Sequence, residues 1–139
     1  MNVLVDTSVW SLLLRRRQSA RLSTRQAAAV QELKELVRED RAQLTGVIRQ
    51  ELLTGIRSDV EFEELKSWLR FYDDLPADFE THELAAQYAN QCLGTGIVTS
   101  AIDILICAIA MKHQLPVFTL DDGFKKIQSV VPITFHVAK

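Results

Sequence analysis

The chain has 139 residues, enough for one domain with a core of its own, and a second domain is not expected. With 47% hydrophobic and 24% charged residues and no excess of Pro or Gly, the composition excludes collagen-like, low-complexity and largely disordered classes. A formal charge of −2 excludes a protein that holds nucleic acid through a bulk positive field, so any nucleic-acid contact has to be local or metal-mediated.

The first residues have no basic n-region or long apolar h-region, and the apolar run around Asp103 is too short to span a bilayer. A cytoplasmic protein with no membrane contact is expected. Residues 2–5 read as a strand ending at Asp6, and residues 7–14 as a helix opening directly behind it. Arg15-Arg16-Arg17 ends that helix. Ser23 with Gln26 three residues later is a capping box, and Ala28, Ala29, Val30, Leu33, Leu36 and Val37 follow at helical spacing to about Glu39. Residues 42–45 read as a second short strand, with Gly46 turning the chain into a helix over 47–56 that carries Glu51.

Ser58 and Glu61 repeat the capping signature before Phe62, Leu65, Trp68, Leu69 and Phe71. Pro76 ends this region. Thr81 is the expected cap of a further helix through Leu84, Tyr88 and Leu93, stopped by Gly94-Thr95-Gly96. Thr99 or Ser100 then caps an apolar helix containing Asp103. A strand over 116–120, a short helix over 123–128 and a last strand over 133–137 complete the chain. Alternating strands and helices imply a parallel-dominated sheet with helices on both faces, because parallel strands need crossover connections. Cys92 and Cys107 lack CxxC spacing and fall in helices, which reads as two buried thiols without chemistry.

Four acids stand out against this frame. Asp6 and Asp121 follow apolar strands and so emerge where parallel strands end, the edge at which open α/β sheets bind ligands. Asp103 lies in the first turn of an otherwise apolar helix, where an uncompensated carboxylate costs roughly several kcal/mol. Glu51 lies on the helix behind the second strand. Each has an ordinary explanation: Asp6 as a helix N-cap, Glu51 as a solvated position, Asp103 as a dipole-favoured first-turn acid, Asp121 as a turn residue beside Asp122 and Gly123. Together they describe a like-charge cluster, which persists only with a cation or with some acids protonated. All-oxygen donors select a hard cation, Mg²⁺ or Mn²⁺, and no EF-type loop for calcium is present.

Other chemistries lack their residues. His82, His113 and His136 show no HxxxH or Cys/His spacing for zinc, and no GxSxG, Walker or GxGxxG motif occurs. A metal-held water attacking a phosphodiester needs only carboxylates that position one or two ions.

At this point the chain resembles the PIN-domain ribonucleases, and among them the VapC-type toxins of toxin–antitoxin pairs. Val3-Leu4-Val5-Asp6-Thr7-Ser8-Val9-Trp10 is similar to the family's opening strand and first acid, and Gln50-Glu51-Leu52-Leu53-Thr54-Gly55 to its glutamate helix. Asp103-Ile104-Leu105-Ile106-Cys107-Ala108 resembles the helix of the third acid, and Phe118-Thr119-Leu120-Asp121-Asp122-Gly123-Phe124 the strand and turn of the fourth. Gln91-Cys92 departs from the pattern, since many relatives carry an arginine before the glycine turn. Asp122 lies one residue past the matching position and ranks below Asp121 as a ligand.

The resemblance implies a single three-layer α/β/α PIN-like domain over 1–139 with a mainly parallel central sheet. It also implies a homodimer and an antitoxin whose C-terminal segment wraps the toxin and fills the acidic site. It implies an Mg²⁺-dependent endoribonuclease cleaving structured cellular RNA, tRNA or rRNA, by metal-activated water, with Asp6, Glu51, Asp103 and Asp121 as ligands and catalytic groups. Thr7, Ser8 and Thr119 adjoin these acids, either orienting metal-bound water or satisfying helix and strand ends. Trp10, Leu13, Trp68 and Phe71 supply core packing or a partner surface. Arg15 to Arg17, with Arg21 and Arg25, form a solvated stretch or meet phosphates and antitoxin acids. Two rival readings are a phosphoacceptor receiver-like signalling domain and a non-catalytic PIN-fold interaction protein. A receiver expects paired acids after its first strand and a lysine after its last, and this chain has Asp6 followed by Thr7, with its last strand ending near His136.

Overall fold

The computed structural model describes residues 1–15 and 21–138; Arg16 and Arg17 of the basic stretch lie outside these. In chain order the elements are β1 (Val3–Val5), α1 (Thr7–Leu14), α2 (Thr24–Arg38), β2 (Ala42–Thr45), α3 (Gly46–Leu53), α4 (Asp59–Leu69), β3 (Asp74–Leu75), α5 (Phe79–Gly94), α6 (Ala101–Lys112), β4 (Val117–Phe118) and α7 (Gly123–Gln128). The expected capping box forms in full, with the Ser23 side chain accepting from the Gln26 N–H and Gln26 accepting from the Ser23 N–H.

The sheet has the order β3-β2-β1-β4 with every pairing parallel, Val3 opposite Ala42, Leu4 opposite Val117 and Leu44 opposite Asp74. β1 is central and fully buried, as a strand covered on both faces requires. From β1 the chain steps outward to β2 and β3, then crosses back to place β4 on the other side of β1. Right-handed crossovers therefore put α1 to α4 on one face and α5 and α6 on the other. The helices pack accordingly, α1 with α2 and α3, α3 with α4, and α5 with α6. This is the three-layer arrangement with a parallel central sheet.

Trp10, Leu33, Leu36, Leu52 and Leu69 fill the core from the α1–α4 side, and Ile106 and Ile109 of α6 from the other. Cys92 and Cys107 are buried free thiols, and burial pushes Cys107 up to about 12, which leaves it unreactive.

Four expectations change. β3 appears where only a helix end was anticipated, held by Arg49, whose guanidinium donates to both carboxylate oxygens of Asp74 (2.9–3.2 Å) and to the Tyr72 carbonyl (2.8 Å). The cap of α5 is Asp78 rather than Thr81: the Asp78 carboxylate accepts the N–H and hydroxyl of Thr81, bonds that hold its pKa below the usual carboxylate range. α3 stops at Leu53, three residues before Ile56. The last strand reduces to a single parallel bridge between Val117 and Phe135. Of the apolar candidates for a partner surface, Trp10 is core and Phe71 is 87% exposed.

Candidate functional site

The topology determines where a site can form. In the order β3-β2-β1-β4 the direction of winding reverses between β1 and β4, and a crevice opens outside the carboxyl ends of strands at such a switch point. Asp6 follows β1 and Asp121 follows β4 by three residues, so the two flank that crevice.

Asp6 is both the N-cap of α1, as the ordinary explanation held, and the centre of a hydroxyl network. Its Oδ2 accepts from Ser8 Oγ at 2.8 Å and from Thr119 Oγ1 at 2.8 Å, with the Ser8 N–H at 3.4 Å. Each hydroxyl carries one hydrogen, spent on Asp6, so the 3.2 Å approach of Ser8 Oγ to Thr119 Oγ1 is a contact imposed by their shared acceptor. The oxygens of those hydroxyls accept in turn, Ser8 Oγ from the Leu120 N–H and Thr119 Oγ1 from the Asp121 N–H, both at 3.0 Å. The buried first acid and the backbone before the last one are thus one bonded unit.

Glu51 enters from the last turn of α3. Thr7 Oγ1 donates to its Oε1 at 2.6 Å, linking it to the residue after Asp6. Asp121 Oδ1 accepts the Gly123 N–H at 2.9 Å, an approach a side chain at 123 would crowd, since a Cβ there would lie 3.2 Å from that oxygen. Asp103 stands at the third position of α6, its N–H donating to the N-cap Ser100.

The electrostatics bring the four together. Burial first, then repulsion from Asp6, Asp121 and, more weakly, Glu51, raises the Asp103 carboxyl from 3.8 to about 6, against a hydrogen bond to Ser100 that acts the other way. The acids therefore share a field. They are not in ligating contact: among the described residues no three His, Cys, Asp or Glu side chains stand close enough to hold one ion. Asp6, Glu51 and Asp121 each turn one oxygen toward a hydroxyl or N–H of their own. Among the described residues Asp6 Oδ1, Glu51 Oε2 and Asp121 Oδ2 accept no hydrogen bond. An all-oxygen set with one oxygen spare on each of three carboxylates fits a hard divalent cation after side-chain rotation.

Two cavities adjoin the acids, one at Glu51 and one at Asp121. One, about 540 Å³, is lined by Thr7, Val47, Gln50, Glu51, Thr54 and Ile102. The other, about 390 Å³, adjoins Asp121 and is walled by α2, β4 and the C-terminal segment. That segment is anchored by His136 Nε2 against Glu32 Oε2 at 2.8 Å, a largely buried pair that no sequence pattern announces, because its members are 104 residues apart.

Residues 3–130 match the family model of the PIN domain. The chain belongs to the PIN-domain family. Solved PIN-type structures superpose over nearly the whole chain. FitAcB from Neisseria gonorrhoeae is 26% identical with a TM-score of 0.73, covering 96% of each chain. VapBC2 from Rickettsia felis, bound to a DNA fragment from its promoter, is 11% identical with a TM-score of 0.75, covering 98% of each. VapBC-5 from Mycobacterium tuberculosis, a member of a toxin–antitoxin family, is 20% identical with a TM-score of 0.67, covering 98% of each. The last two establish the fold alone. No curated protein sequence matches this PIN domain. No helix among its described residues is long and apolar enough to cross a membrane.

Proposed function

We propose that this PIN domain is the toxin of a type II toxin–antitoxin pair, an Mg²⁺- or Mn²⁺-dependent endoribonuclease acting on structured cellular RNA such as tRNA or rRNA. The observation that carries the reading is geometric: Asp6 and Asp121, behind the two strands that flank the switch point, are joined through Ser8 and Thr119 into one hydrogen-bonded unit, with Glu51 tied to the neighbouring Thr7. Burial first, and then these acids, raise the Asp103 carboxyl to about 6. Keeping four carboxylates in one field costs stability, a cost that a cation-binding site recovers and a purely structural domain does not.

In this reading Asp6, Glu51, Asp103 and Asp121 are the metal ligands. When bound, the ion supplies charge stabilisation at the scissile phosphate and an acidified water. Ser8 and Thr119 hold one oxygen of Asp6, and Thr119 also holds the backbone of Asp121, which leaves the other oxygen of Asp6 and the Asp121 side chain to turn toward the ion. Thr7 restrains Glu51 on the opposite wall. The single nuclease domain works in the cytoplasm as a homodimer, restrained by an antitoxin. An Arg or Lys of that partner, entering the pocket, would fork onto the acids and exclude the cation.

The test is cleavage of structured RNA by purified protein. Wild type should cut with Mg²⁺ or Mn²⁺, stop with chelator, and leave a 5′-phosphate on the downstream fragment. Zn²⁺ should substitute poorly. Asp6→Asn, Glu51→Gln, Asp103→Asn and Asp121→Asn should each lose at least about 100-fold in rate, the scale of one lost electrostatic group at a reacting centre. Asp122→Asn should be milder. Full activity in Asp103→Asn, or 2′,3′-cyclic phosphate ends, would refute the mechanism. In cells, wild type alone should arrest growth and co-expression with its antitoxin should restore it. Arrest by the four-acid variants would instead favour the non-catalytic interaction protein.

A further inference from the structure

The cavity beside Asp121 differs in kind from the cleft over Glu51. Its walls are apolar and partly aromatic, formed by Phe118, Leu120, Phe135 and His136. His136 meets Phe118 edge to face, with ring centroids 5.3 Å apart. The rim carries two cations, Arg25 from the first turn of α2 and Lys125 from α7. Both are mostly exposed, and both reach only loosely toward the one carboxylate of Asp122, at 3.7 and 3.5 Å. Such pairs in water are worth little and yield readily to a better anion.

The cavity is preformed. Its C-terminal wall is held by the Val117–Phe135 bridge, by the His136 N–H donating to the Val117 carbonyl, and by the buried Glu32–His136 pair. About 390 Å³ is room for one nucleobase with its sugar, far short of a helix or a folded segment. Aromatic and aliphatic walls, a cationic rim and a border shared with an acid of the proposed nuclease site suit one ligand class.

We infer that this cavity is a nucleotide subsite: it takes one unpaired base of the RNA strand beside the cut, with the adjoining phosphate held by Arg25 and Lys125. The inference rests on the nuclease reading for its place along the strand, but the binding itself does not. It assigns base preference next to the scissile bond to α2, β4 and the C-terminal segment rather than to the four acids.

The test titrates the ¹⁵N-labelled full chain, with chelator present, with AMP, CMP, GMP and UMP. At least one nucleotide should shift the amides of Ala28 and Ala29 and of residues 118–122 and 135–138. Ala28→Trp fills the cavity from an exposed helical position, and Arg25→Ala removes a rim cation. Each should weaken binding by about tenfold, the scale of one lost stacking or phosphate contact. Should Ala28→Trp fail to fold by circular dichroism, Arg25→Ala carries the comparison. On random-sequence RNA with Mg²⁺, wild type should prefer certain bases at one position next to the cut, and both variants should flatten that preference while still cleaving. Shifts absent or confined to other surfaces, as expected if the cavity instead receives a protein side chain, overturn the subsite. Cleavage with unchanged preference in both variants overturns it too. Nucleotide binding in the cavity with no RNA cleavage would keep the subsite and reject the nuclease reading.

Discussion

Asp103→Asn should make the metal-free protein more stable at neutral pH, a direction opposite to that of most substitutions in a well-packed fold. The carboxyl is raised from 3.8 to about 6 because burial and then Asp6, Asp121 and Glu51 disfavour its charge. A carboxyl raised on folding favours the native state when protonated. Its contribution is complete below pH 3.8 and is lost as pH rises through about 6. At pH 7.5 the ionised group opposes folding by up to about 3 kcal/mol if the whole difference is felt. Asp103 is only half-buried, and solvent screening reduces this to about 1–2 kcal/mol. The amide has the same shape and no charge, so the variant should unfold about 3–7 °C higher at pH 7.5, given the entropy of unfolding of a domain this size. The assay is thermal unfolding by circular dichroism with chelator present, at pH 7.5 and pH 4.5. At pH 4.5 folded Asp103 is mostly neutral while the unfolded carboxyl, at its ordinary 3.8, is mostly ionised, so the advantage of the variant should shrink to about a third of its size at pH 7.5. Adding Mg²⁺ at pH 7.5 should raise wild type more than the variant. An equal or lower midpoint for the variant at pH 7.5, or the same gain at both pH values, would refute the argument that the acids share a field.

Thr119→Val keeps the shape of the side chain but removes the hydroxyl that joins Asp6 to the Asp121 backbone; a loss of about 1–3 kcal/mol is expected by denaturant titration. Cleavage should fall with it, and Thr119→Ser should restore both. Gln114, which follows the cap of α6, has φ +56°, a left-handed conformation that a branched-free but still Cβ-bearing side chain adopts at a cost. Gln114→Gly should therefore raise stability by up to about 1 kcal/mol, less what glycine adds to the entropy of the unfolded chain, with activity unchanged. A loss of stability there would show that the Gln side chain contributes more than its backbone angle costs.

What could be read from the sequence was whatever local chemistry decides. The helix over Thr7–Leu14, the strand over Ala42–Thr45 and the short helix over Gly123–Gln128 have the anticipated bounds, because apolar spacing and caps lie within each segment. The misses have long-range causes. β3 is two residues long and owes its place to Arg49, 25 residues earlier in the chain, which no pattern around Asp74 announces. The segment over 133–137 alternates as a strand does, yet it meets β4 at Val117 alone, through the Thr134 carbonyl and the His136 N–H that frame the Phe135 bridge. Asp78 outcompetes Thr81 as a cap because a carboxylate three residues upstream can accept both the N–H and the hydroxyl of that threonine. The helices α2 and α6 end without the glycine that usually marks such an exit, Asp40 and Gln114 taking the left-handed angle in its place. The placement of Asp6 and Asp121 behind the carboxyl ends of β1 and β4 followed from strand order. Their tethering by Thr7, Ser8 and Thr119 needed the folded distances, since nothing in residue order tells a hydroxyl that orients an acid from one that caps a helix.

The central strand is also the first to be synthesised. β1 pairs with β2 within about forty residues, but its other edge waits for Val117 and Phe118, and the Thr119 hydroxyl that orients Asp6 arrives with them. On a ribosome adding about 5–20 residues per second, the growing polypeptide spends several seconds with that apolar edge open. During this interval it lacks Asp121 and the Thr119 hydroxyl, so the hydrogen-bonded unit around Asp6 closes only after residue 121 has emerged. The same interval exposes an unpaired edge to neighbouring nascent chains, and a synonymous change that slows decoding between β3 and β4 should lower soluble yield before it alters the finished protein.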